Sequence, residues 1–169
     1  QATPCGNVEP LAFATCAQCG SPVIRPLRIR NYWLFQPLGG GGMGAVYKAV
    51  QEGSGREFAV KVLPREGRSN PDFIQALLRE GEAAKAVSHH PNVVAVTEVG
   101  QEGEEYFIVS EFASGERLDQ FISRQGQLPE STAVEICRQL VEAEIHICRQ
   151  GYLFRDMKPE NVMFNPETG

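Results

Sequence analysis

The chain has 169 residues, of which 42% are hydrophobic and 22% charged, with 17 Gly, 11 Pro and 5 Cys, a balance that argues for a folded core and against disorder. A formal charge of −5 supplies no basic field for a polyanion, so the composition argues against general nucleic-acid binding. No apolar run approaches the roughly 20 residues that span a bilayer, and QATPCGNVEP at the start lacks the basic and apolar parts of a signal peptide, so a soluble chain is expected.

In chain order, Cys5, Cys16 and Cys19 crowd the start, far from Cys137 and Cys148. Residues 1–22 therefore read as a module of their own. Cys16-Ala17-Gln18-Cys19-Gly20 has the form of a knuckle that grips Zn²⁺, and Cys5-Gly6 that of the end of a second knuckle whose first cysteine would precede Gln1. Three thiolates are one short of a structural tetrahedron, which leaves two readings open: a zinc ribbon with its fourth ligand upstream, or reduced, unpaired thiols. The stretch GSPVIRPLRIR, Gly20 to Arg30, has no clear period and reads as a connector, with the linker at 23–30. From Tyr32 to Leu63, β-branched and aromatic residues alternate with polar ones between glycine-rich turns, giving three strands.

Asn70-Pro71-Asp72 predicts a helix start, with Phe73, Ile74, Leu77 and Leu78 as its apolar stripe. Val93 to Val99 and Tyr106 to Phe112 read as a hairpin around Gln101-Glu102-Gly103. Five antiparallel strands and one main helix make an α+β lobe over 31–112. From 113 to 169 the pattern turns helical, with a short helix at Leu118 to Arg124 and a longer one from Pro129 to Gln150, whose Ile136, Leu140, Ala143 and Ile147 recur at helical spacing. Cys137 and Cys148 on that helix are expected to pack as small hydrophobes, and His89, His90 and His146 to be structural.

Three segments carry chemistry. Gly39 to Val46 reads GGGGMGAV, in which Gly39, Gly41 and Gly44 fall at the spacing of a loop whose amides approach phosphate oxygens. A dinucleotide-binding loop should open a helix, whereas AVYKAV is strand-like, so the glycines bend a hairpin. Lys61 sits inside the apolar strand FAVKVL, where a lone ammonium is costly and calls for a carboxylate and a phosphate. Glu80 is the candidate carboxylate and Glu82 its rival. Phe154 to Asn161 reads FRDMKPEN, a loop able to present the Asp156 carboxylate to a substrate hydroxyl, the Lys158 ammonium to a transferring phosphate and the Asn161 amide oxygen to a metal.

On these segments, 31–169 resembles a protein kinase domain, in particular that of the bacterial Ser/Thr protein kinase family. LGGGGMGAVYKA is similar to the family's Gly-rich loop, FAVKVL to its third strand, HHPNVV to the approach to its fourth, FIVSEFASGERL to its hinge and FRDMKPENVM to its catalytic loop. The resemblance implies a two-lobed fold, a complete N-lobe and the beginning of a helical C-lobe. It further implies that Gly39, Gly40, Gly41, Gly42, Met43 and Gly44 cover the ATP phosphates, and that Lys61, paired with Glu80, holds the α- and β-phosphates. By the same token Asp156 would be the catalytic base, Lys158 would steady the γ-phosphate and Asn161 would bind Mg²⁺. Val46, Ala59 and Met163 would sandwich the adenine, Glu111 and Ala113 would offer hinge main-chain groups, and the small Ser110 would leave the pocket deep. The implied reaction moves the γ-phosphoryl of Mg-ATP to a Ser or Thr hydroxyl of a protein substrate, in the cytoplasm.

Two departures from the family pattern stand out. Phe154 replaces the usual His, so an apolar contact must replace a hydrogen bond, and no Asp-Phe-Gly follows Asn161 within the sequence. The second departure predicts that the 169-residue chain by itself is inactive, as a front part of an active kinase. An ATP-binding pseudokinase or scaffold, with the cysteine module as its interaction part, is the alternative. The cysteine segment is similar to small zinc ribbons fused ahead of some bacterial kinases.

Overall fold

The computed structural model describes residues 27–41, 44–64 and 67–167. These fall into two compact units, one within Gln1–Glu82 and Val96–Phe112 and the other within Ala83–Ala95 and Ala113–Gly169. Cys5, Cys16 and Cys19, with the rest of the 1–22 module, lie outside the described residues, as do Gly42 and Met43.

The first unit is a six-stranded antiparallel sheet in the order β1-β2-β3-β4-β6-β5, formed by β1 (Leu27–Ile29), β2 (Tyr32–Gly41), β3 (Gly44–Gln51), β4 (Glu57–Val62), β5 (Val96–Glu102) and β6 (Glu105–Glu111). Period-two alternation decides which face each residue takes. In β4, Phe58, Val60 and Val62 are buried in a core shared with Ile29, Tyr32, Leu34, Ala49, Phe107 and Val109, so Ala59 and Lys61 face the other way. Helix α1 (Pro71–Ala86) covers part of that second face, where Leu77 packs on Leu63 and Ile108. Each large side chain fully buried in this way contributes roughly 1.5–3 kcal/mol. Asn70 opens the helix as its type predicts, its Oδ1 accepting from the Asp72 amide at 2.9 Å.

The sheet has one strand more than the five expected. Leu27–Ile29, read as connector, pairs with β2 through Leu27↔Leu34, Arg28↔Trp33 and Ile29↔Tyr32. Three residues after a proline are too short to display a period, and burial of Ile29 in the core is what recruits them. Phe73, assigned to the apolar stripe, is instead exposed at the first turn of α1, and the buried stripe runs through Leu77 and Gly81.

The second unit contains β7 (Glu116–Arg117), α2 (Leu118–Gln125), α3 (Glu130–Arg149), a 3-10 turn at Pro159–Asn161 and β8 (Met163–Phe164). Leu118, Phe121 and Phe164 form its buried core, with Ile122, Leu128, Ile136 and Val162 packed around them. His146 Nε2 lies 3.1 Å from the Val87 carbonyl oxygen, and its ring stacks 5.1 Å from that of His90, which ties the His90-Pro91-Asn92 turn to α3. Cys137 and Cys148 are free thiols and are exposed, contrary to the packing expected of them. Each follows a residue of the inward stripe, Ile136 or Ile147, by one position, which rotates it about 100° round the helix. Among the described residues no helix is long and apolar enough to cross a membrane.

Candidate functional site

The first unit gathers most of the nucleotide-binding candidates on one sheet face. Cross-strand register pairs Val46 with Lys61, Lys48 with Ala59, Ala59 with Ser110 and Lys61 with Ile108, so these side chains project together, opposite the main core. The glycine hairpin closes beside them through Gly39↔Val46, Gly40↔Ala45 and Gly41↔Gly44.

Gly44 is fixed by its neighbours as well as by its backbone. Its φ is +148°, and a Cβ there would stand 3.1 Å from Lys61 Cε and from the Val62 carbonyl oxygen. The absent side chain is thus what lets the Lys61 stem run beneath the hairpin. At the end of that stem, Lys61 Nζ donates to both oxygens of Glu80, at 2.8 and 2.7 Å. The lysine side chain is 24% exposed and the glutamate 50%. Glu82 belongs to the solvent face.

What brings Glu80 within reach is Gly81, which the sequence reading did not single out. A Cβ at Gly81 would sit 2.8 Å from Val99 Cγ2 and 2.9 Å from Ile108 Cγ1, closer than real Cβ atoms come. At Gly81 the backbone of α1 therefore rests directly on the Val99 and Ile108 side chains of β5 and β6. A glycine inside an otherwise good helix, one residue from the candidate carboxylate, is the signal that could have found it.

Ser110 lies at the far side of Ala59, and its hydroxyl donates weakly to the Ala59 carbonyl oxygen at 3.4 Å. Next to it the Glu111 carboxylate is 3.7 Å from the Arg56 guanidinium.

The second unit holds Ala113, Asp156, Lys158, Asn161 and Met163. β7 pairs with β8 through Glu116↔Phe164 and Arg117↔Met163, and the Leu118 amide donates to the Val162 carbonyl oxygen at 2.9 Å. Gly115, at φ +106°, makes this possible: a Cβ there would lie 2.3 Å from the Phe164 carbonyl oxygen. Met163 is 42% exposed on this ribbon while Phe164 is buried, its ring 4.7 Å from that of Phe121.

Ahead of β8, the loop closes on itself. Lys158 Nζ is 2.8 Å from Asp156 Oδ2, and Asn161 Nδ2 donates to both the carbonyl oxygen and Oδ2 of Asp156 at 2.9 Å. The Lys158 ammonium, then the Asn161 amide, hold the Asp156 carboxyl below its ordinary value, and Asp156 in turn raises Lys158. All three side chains are exposed. With Nδ2 committed to Asp156, Asn161 keeps Oδ1 as an oxygen donor. Among the described residues no three His, Cys, Asp or Glu side chains gather as a metal site. The donor set present suits a hard ion such as Mg²⁺, which takes few protein oxygens and completes its shell with water and substrate phosphates. The Phe154 ring is 41% exposed, so apolar neighbours cover it only in part.

Comparison with known proteins bears on what these groups do. Residues 32–169 match the family model described as the protein kinase domain. The chain is 34% identical over 135 residues to the serine/threonine-protein kinase PrkC of Bacillus subtilis, covering 80% of this chain and 21% of that protein. It is 36% identical over 135 residues to the serine/threonine-protein kinase pkn2 of Myxococcus xanthus, covering 80% of this chain and 16% of that one. Among solved structures, the kinase domain of Mycobacterium tuberculosis PknI superposes with a TM-score of 0.66 at 26% identity, over 82% of this chain and 55% of that one. The matched part of the chain thus spans about a fifth of the length of PrkC and about a sixth of that of pkn2.

Proposed function

Since the chain belongs to the protein kinase family, we propose that it supplies the nucleotide-binding and phosphoryl-transfer residues of a cytoplasmic Ser/Thr protein kinase acting on protein substrates with Mg-ATP. The observation that carries this reading is the Lys61–Glu80 pair at 2.7 and 2.8 Å. A bidentate carboxylate fixes the ammonium under a glycine turn, where a point charge can hold the α- and β-phosphates.

In this reading the Gly39–Gly44 hairpin covers the phosphates with main-chain amides, and Val46, Ala59 and Met163 contact the adenine. Glu111 and Ala113 offer main-chain groups to its edge, and the small Ser110 side chain leaves depth behind it. Asp156, kept ionised by Lys158 and Asn161, accepts the proton of the Ser or Thr hydroxyl as that oxygen attacks. Lys158 balances charge on the γ-phosphoryl oxygens, and Asn161 Oδ1 is the protein oxygen offered to the metal. Mg²⁺ when bound neutralises charge on the phosphate oxygens and keeps them aligned for in-line displacement. The Lys158-Pro159-Glu160 sequence favours Ser or Thr over Tyr as acceptor.

Transfer of labelled phosphate from Mg-ATP to a generic acceptor protein tests the proposal. The full-length protein should label Ser and Thr, and Lys61→Met and Asp156→Asn should each lower the rate by about 100-fold or more. Rates unchanged in both variants would overturn the assignment. Nucleotide binding without transfer would favour the pseudokinase alternative.

The zinc reading of Cys5, Cys16 and Cys19 rests on sequence spacing alone. Metal analysis of the full-length protein, purified without chelator, should find bound zinc, and none would remove the reading.

A further inference from the structure

One lysine on the nucleotide face has been assigned no role. Lys48 lies on β3, two residues beyond Val46 and on the same face, paired in register with Ala59. Its ammonium is 2.7 Å from Glu57 Oε1 and 4.2 Å from the centre of the Phe112 ring. The Lys48 side chain is only 19% exposed, against 48% for Glu57.

An ordinary surface ion pair would leave both partners in water and fix nothing. Here the cation is mostly covered, and what it touches beyond Glu57 is an aromatic face. The other cation–ring contacts among the described residues run from 5.3 to 5.7 Å, so this approach is the tightest of them. Phe112 in turn is the residue between Glu111 and Ala113, whose main-chain groups are the ones assigned to the adenine edge. Arg56, in the turn between β3 and β4, lies 3.7 Å from Glu111, so β3 and the turn that follows it reach two successive residues of this segment.

We propose that Lys48 is a positioning residue for nucleotide binding: held by Glu57, it pins the Phe112 ring and thereby sets the main chain at Glu111–Ala113 that receives the adenine. The inference rests on the nucleotide-binding reading of the same face. Lys48 contacts no nucleotide in this scheme. It lowers the entropy that the 111–113 segment loses on binding, so its removal weakens affinity without removing a ligand contact.

The test is Mg-ADP binding by isothermal titration calorimetry, with the thermal midpoint of each nucleotide-free variant measured alongside. Lys48→Met should weaken binding by about three- to tenfold, a size set by a partly desolvated cation–ring contact. Lys48→Arg, which keeps a cation over the ring, should restore it. Phe112→Leu should match Lys48→Met, Phe112→Tyr should match the wild type, and Lys48→Met with Phe112→Leu should be no weaker than either alone. These paired comparisons hold even if one variant folds poorly, because the other pair reports on the same contact. Wild-type affinity in both Lys48→Met and Phe112→Leu, failure of Lys48→Arg to restore binding, or simple additivity of the two losses would each overturn the inference. A wild-type protein that binds no Mg-ADP would instead overturn the nucleotide reading itself, and this inference with it.

Discussion

The Asp156 carboxylate receives an ammonium and an amide at once, and both favour its charged form. Its protonation is therefore pushed to lower pH than the ordinary Asp value of about 3.9. A lowered value means that the group stays a base throughout the neutral range, and that its ion pair is lost only as pH falls through that lowered value. A ¹³C carboxyl titration by NMR should show Asp156 titrating below an ordinary Asp. Lys158→Met should raise its midpoint most, and Asn161→Ala by less, following the order of their influence. A midpoint unmoved by Lys158→Met would mean that the two groups are not paired in solution. Gly44 offers a second test at this scale. Gly44→Val forces a β-branched residue to φ +148° and sets its Cβ against Lys61, which should cost roughly 1–3 kcal/mol in a urea melt and weaken Mg-ADP binding as well.

Elements are held where they are by two glycines. Gly81 lets α1 lie directly on Val99 and Ile108, and Gly115 lets the chain before β7 lie on the Phe164 carbonyl. Gly81→Val should cost about 1–3 kcal/mol by overpacking, and the larger loss should appear in Mg-ADP affinity, because moving α1 draws Glu80 away from Lys61. Stability lost with affinity unchanged would separate the helix position from the site. Much of this level was legible beforehand: the helix start at Asn70-Pro71, the hairpin into β6 and the inward stripe of α3 all follow from local type and period. Glu80 and Glu82 could not be told apart from local pattern alone, since helical charges are usually a solvated face; contact across the sheet decides between them. β1 was hidden for a related reason, since Leu27–Ile29 is a strand only because Ile29 finds a core built from residues far along the chain.

For the whole molecule, the order of the motifs along the chain was the most legible feature, and the family match over 32–169 agrees with it. Individual contacts such as Lys48 with Phe112 were not legible, because a strand lysine is by default a solvent-facing charge and only the distance to the ring changes that reading. In the proposed function, Lys61 and Asp156 each serve phosphoryl transfer. Its most direct measurement is phosphoamino-acid analysis of an acceptor protein after incubation with the full-length protein and γ-labelled Mg-ATP, run beside Asp156→Asn. The wild type should yield phosphoserine and phosphothreonine and the variant about 100-fold less or lower still, with Mg-ADP affinity retained; equal labelling by the two proteins would contradict the proposed function.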